Sequence, residues 1–232
     1  MTKASSRLPA PLRPGLEAYA LQVKELTGSS LESLVVFGAV LTPDWQKGRH
    51  IHHALVLSSD DLDLISRLHV LSSGAVKLGL AAPLVLTPAL LTSTLDTFPL
   101  EWLEIATCHE VLSGVDLFQG LTFAHEHVRL QCERESAVLA ISLRQRLIQG
   151  PRQVALPLID LAEQAIRILR GMLYLKGQTL PSAPSGVIAA ATHLLAIDLQ
   201  PVANAMDGRT GMAILTGIHR VLIDLGKRSE HA

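Results

Sequence analysis

Residues 34–57 read LVVFGAVLTPDWQKGRHIHHALVL. Leu34, Val35, Val36 and Phe37 form an unbroken apolar run that stops at Gly38. A run of this kind suits a strand covered on both faces, so a strand is predicted within Leu31–Val40. Thr42–Arg49 is polar and contains Pro43 and Gly48, which marks a loop. A second strand is predicted over Ile51–Ser58, with Ala54, Leu55, Val56 and Leu57 at its core.

The chain alternates on either side of this unit. Pro14–Gly28 has proline in the first turn and glycine at the stop, as a helix does. Ser59, Asp60 or Asp61 can cap a helix running to Leu78, which Gly79 ends. Ala82–Leu86 reads as a third strand, and Thr87-Pro88 as a cap with proline at the first helical position. A helical stretch broken at Phe98-Pro99 follows, then a short strand, His109–Leu112, closed by Gly114. After about residue 120 strand signals disappear. Ala124–Gln149, Val154–Lys176, Val187–Leu199 and Gly211–Leu225 read as helices, with a break at Gly150-Pro151 and a turn over Gly177–Gly186. The expected fold is α+β: a small mixed sheet with flanking helices over 15–118, then an all-α helical bundle over 120–232. Residues 1–14, with Pro9, Pro11 and Pro14, read as a flexible tail.

Composition narrows the function. The 232 residues carry 20 Lys+Arg against 21 Asp+Glu, and aromatics are 3%. Near-neutral charge argues against a phosphate-gripping nucleic-acid binder, and scarce aromatics argue against a single-strand stacking platform. Hydrophobic content of 48% excludes a wholly disordered chain. No apolar stretch is long enough to span a bilayer, and the first residues lack the apolar core of a secretory signal. Cys108 and Cys132 form no CxxC and are too few for a disulfide framework. A cytoplasmic protein is expected.

A strand ending in Phe-Gly, a polar loop and a second strand resemble the opening of the nucleotidyltransferase fold. The resemblance implies a Gly-Ser turn that approaches a triphosphate and an Asp-x-Asp pair on the next strand. Spacing of two puts both carboxylates on one strand face, where they hold Mg²⁺. Here Gly38 stands in the turn, Ala39 replaces the serine, and His50 and His52 occupy the two Asp positions. Imidazole is a poor ligand for the hard Mg²⁺ ion. The family resemblance also implies that the helical part forms a second wall of the nucleotide cleft, which makes Arg129 a candidate anion contact. The expected ligand pocket is therefore Gly38, Ala39, His50, His52 and Arg129, with no catalytic residue and no cofactor assigned.

The resulting expectation is a degenerate bacterial-type nucleotidyltransferase-like protein that binds a nucleotide-type ligand or a protein partner. One alternative is a divergent metal-dependent transferase. His50 and His52 would then chelate a borderline metal such as Zn²⁺ with a third ligand from His69, His109 or Asp44. Another is a helical dimerisation or interaction module of toxin–antitoxin type, working as a homo-oligomer through Val187–Leu199 and Gly211–Leu225. Asp60, Asp61 and Asp63 lie past the far end of the strand and read as helix caps. The helical half also resembles the bundles that accompany such domains, including the HEPN type, but the Arg-x4–6-His of HEPN ribonucleases is missing. Nucleophile elbows and phosphate loops are missing too.

Overall fold

The computed structural model describes residues 6–150, 152 and 158–230. It divides into two compact units, Met1–Leu95 with Ile105–Leu121, and Asp96–Glu104 with Thr122–Ala232. Pro151, and residues 154–157 where the sequence predicts the second long helix to begin, lie outside the described residues.

The first unit holds a four-stranded mixed sheet in the order β3-β2-β1-β4. The strands are β1 (Leu31–Phe37), β2 (His52–Leu57), β3 (Leu84–Leu86) and β4 (His109–Gly114). β1 runs antiparallel to both β2 and β4, and β2 runs parallel to β3. β1 is thus central, as its unbroken apolar run requires. Leu34, Val36 and Leu55 line one sheet face and pack against Leu16, Tyr19, Ala20 and Val23 of α1 (Arg13–Thr27). Side chains of a strand alternate, so Val35, Phe37, Ala54 and Val56 form the opposite face, and all four are buried.

Several local predictions hold in detail. Asp61 caps α2 (Leu62–Arg67), its carboxylate accepting from the N–H groups of Asp63 and Leu64. Thr87 caps α4 (Pro88–Ser93) through the Leu90 N–H. The single helix expected from residue 60 to Leu78 is instead broken. After α2 a 3-10 turn at Leu68–Leu71 leads into α3 (Ser72–Lys77), where Ser72, Ser73 and Gly74 are weak helix formers. The start of the chain is not loose over residues 6–8. The Ser6 hydroxyl and the Arg7 N–H both donate to the Glu110 carboxylate, and the Arg7 guanidinium donates to the His109 carbonyl. Leu8 is buried in the α1 core.

The second unit is helical. It contains most of α5 (Pro99–Thr107), then α6 (His125–Ile148), α7 (Ile159–Leu175), α8 (Pro184–Leu195), α9 (Gln200–Met206) and α10 (Met212–Ser229). α7 is its centre and packs against α6, α8, α9 and α10. Gly171 permits close approach: a Cβ there would lie 2.5 Å from Leu100 and 2.6 Å from the Cys132 sulfur. Residues 96–104 join this unit through polar links. Gln131 accepts from the Leu100 N–H and donates to Glu101, while Arg167 donates to Glu104 and Glu101. Burial pulls the Arg167 pKa down, but the two carboxylates outweigh it and leave it raised. α9 went unread in the sequence because it is only seven residues long. Val187, Ala191 and Leu195 of α8 and Leu215, Ile218, Val221, Leu222 and Leu225 of α10 are buried. These helices therefore bury most of their apolar faces inside the unit, with Leu194 and Met212 left exposed. No described helix is long and apolar enough to cross a membrane.

Candidate functional site

The end of the sheet at Phe37 collects most of the residues singled out in the sequence. Phe37 pairs with His52 on one side and with His109 on the other. Directly opposed residues share a face, so His52, Phe37 and His109 form one row across three strands. The His52 ring stacks on Phe37 with centroids 5.8 Å apart. His52 is exposed, whereas Phe37 behind it is buried. His50 lies outside β2, two residues before His52, and is also exposed.

Gly38 follows Phe37 with φ +80° and donates its N–H to the Cys108 carbonyl at 2.9 Å. That left-handed backbone lets the chain leave the strand and enter a 3-10 turn over Gly38–Leu41. A Cβ at Gly38 would meet nothing within 4 Å, so conformation, not space, demands glycine here. Ala39 stands half-buried in the turn.

The imidazoles divide by role. Both nitrogens of His109 meet acceptors, Nδ1 the Ile105 carbonyl at 2.8 Å and Nε2 the Asp116 carboxylate at 2.9 Å. His109 is thus engaged at both ring nitrogens by groups of its own unit. The same Asp116 oxygen accepts from the N–H groups of Phe118 and Gln119, so this carboxylate is spent on the turn. His53, which sequence reading passed over, turns to the other face. It is 1% exposed, and its Nε2 lies 3.0 Å from the Tyr19 hydroxyl. Burial, with a smaller push from His52, lowers its pKa to about 4. The alternation that places Ile51 in the core also places His53 there, and this was the available signal.

The fold resemblance implies Mg²⁺ here, and the donor set does not fit it. The residues that the sequence resemblance puts at the carboxylate positions, His50 and His52, are imidazoles, which suit Mg²⁺ poorly. Among the described residues no group of three His, Cys, Asp or Glu side chains could hold a metal ion. The chelate of His50 and His52 with a third ligand from His69, His109 or Asp44 is therefore not assembled. Arg129 sits on α6 in the helical unit, where it pairs with Glu133 at 3.0 Å. Both cysteines are buried free thiols, and burial with Glu135 nearby pushes the Cys132 pKa up to about 12. Neither is placed as a nucleophile. A separate cleft of about 590 Å³ in the helical unit is lined by Met172, Leu194 and Leu195 with Lys176, Lys227, Arg228, Asp224 and Glu230. Its charges are of both signs and select no ligand class.

The sequence matches no protein-family profile and no curated protein. Among solved structures, a spectinomycin adenyltransferase from Enterococcus faecialis, crystallised with ATP and spectinomycin, superposes with a TM-score of 0.60. The likeness covers 92% of this chain and 98% of that one at 9% sequence identity. At that identity it shows the fold: a nucleotidyltransferase-like arrangement of mixed sheet and helices.

Proposed function

We propose that the protein is a degenerate nucleotidyltransferase-like module that binds a nucleotide-type ligand at the Gly38 end of the sheet without carrying out metal-dependent transfer. One observation carries this reading. The chain has a nucleotidyltransferase-like fold, Gly38 turns the backbone out of β1 with φ +80°, and the sequence resemblance puts His50 and His52 where metal-holding carboxylates would be required. The neighbour's ATP makes a nucleotide the natural ligand class to propose. The residues assigned are Gly38 and Ala39 in the turn, with His52 and His50 exposed beside it. Imidazole N–H groups can donate to phosphate oxygens without a metal.

The test is transfer of label from α-³²P-ATP, GTP, CTP or UTP to the protein or to an added acceptor, with Mg²⁺, Mn²⁺ or Zn²⁺. No transfer above a mock preparation is expected. Transfer abolished by His52→Ala would overturn the proposal and establish the divergent metal-dependent enzyme in its place.

A further inference from the structure

We propose that the solvent-facing side of α6 is a self-association surface, on which a second copy of this chain packs with its own α6 running antiparallel. α6 already spends one face inside its unit, where Val128, Cys132, Leu139, Ala140 and Leu143 are buried. A second apolar line runs along the opposite side. Leu130, Ala137, Ile141 and Ile148 lie within about 20° of a common line at 100° per residue, over about 27 Å. Leu130 is 57% exposed, Ile141 52% and Ile148 86%, with exposed Val138 beside them. Single exposed leucines are ordinary, but a helix that is apolar on two opposite faces calls for cover on both.

The pattern identifies the cover. It reads alike from both ends about a centre near residue 139, with Leu130 matched by Ile148 and Ala137 by Ile141. A two-fold interface needs this self-complementarity, in which residue i meets j and j meets i. The charges agree. Glu133 and Arg144 lie on the same edge of the line, on opposite sides of its centre and within one residue of the same distance from it. In an antiparallel pair each edge meets the same edge of the other helix. Glu133 of each copy then faces Arg144 of the other, and Arg134 faces the amide of Gln145. Glu133 now pairs with Arg129 at 3.0 Å and Arg144 donates to His219 at 3.1 Å. Both are surface links of small worth, so exchanging them across an interface is cheap. A foreign partner would have no reason to match a line with two-fold symmetry.

Sedimentation velocity on the full chain from about 1 to 100 μM tests the proposal. Dimer should form as concentration rises. Ile141→Glu should abolish it with an unchanged melting curve, since the side chain is exposed. Leu62→Glu, at an exposed leucine of the other unit, should leave it intact. Glu133→Arg and Arg144→Glu should each weaken association by tenfold or more, and the two together should restore it. A chain that stays monomeric throughout, a dimer that Ile141→Glu leaves whole, or a charge swap that fails to restore pairing would each overturn it. None of these outcomes bears on nucleotide binding at Gly38.

Discussion

His52 and His53 are neighbours in sequence and opposites in environment. His52 is exposed at the sheet end beside the glycine turn, while His53 is sealed against Tyr19 in the α1 core. The buried ring gives the fold a pH dependence with a definite sign. An unfolded His53 takes up a proton below about pH 6.5, whereas the folded one resists until about pH 4. The unfolded chain then binds more protons, so stability is complete above pH 6.5 and falls as pH drops. The loss from this residue is about 2 kcal/mol at pH 5 and about 3 kcal/mol at pH 4. Urea unfolding of wild type and His53→Gln at pH 7.5 and pH 5 should show a flatter pH dependence in the variant. Equal slopes would mean that His53 is not the titrating group. At Gly38, where φ is +80°, Gly38→Val should cost about 1–2 kcal/mol through backbone strain alone. No loss of stability on denaturation would show that the turn tolerates a side chain. The sequence made the sheet end readable because Gly38 closes an unmistakable apolar run. It did not reveal His53, because the face each histidine takes depends on register, and a one-residue slip exchanges them. The pairing of His52 with Phe37 settles that register.

Among the elements, those with a strong periodic pattern or a cap were legible. α1, β1, β2, α6 and α10 lie close to their expected limits, and Asp61 and Thr87 act as the predicted caps. The elements set by tertiary contacts were not. α5 lies among sequence that reads as part of the α/β half, yet its first turns belong with the helices. The reason is the Gln131–Glu101–Arg167–Glu104 links, whose partners are 30 or more residues apart in sequence. The crossing at Gly171 is equally invisible in a periodicity, because it depends on what Leu100 and Cys132 present to it. Gly171→Ala should destabilise by about 1–3 kcal/mol through overpacking, despite alanine's better helix propensity. A variant as stable as wild type in guanidinium unfolding would show that α7 has room to move away.

At the scale of the whole molecule, the fold class was legible in the sequence. A change from alternating strand and helix patterns to helix alone marks the two kinds of structure, and the solved adenyltransferase shares the overall arrangement. What the sequence could not supply was which apolar faces find cover. Leucine-rich α8 and α10 cover most of theirs internally, and the uncovered line falls on α6. The claim that joins the parts is that the glycine turn and its flanking imidazoles bind a nucleotide without a metal. Thermal unfolding with ATP, GTP, CTP and UTP, each in EDTA and in Mg²⁺, tests it most directly. A ligand at about 100 times its Kd adds roughly 2.7 kcal/mol, a rise of several degrees for a chain of this size. The account predicts that rise for at least one nucleotide, equal in EDTA and in Mg²⁺, and lost in the His50→Ala/His52→Ala variant. No rise with any nucleotide, or a rise that requires Mg²⁺, would contradict it.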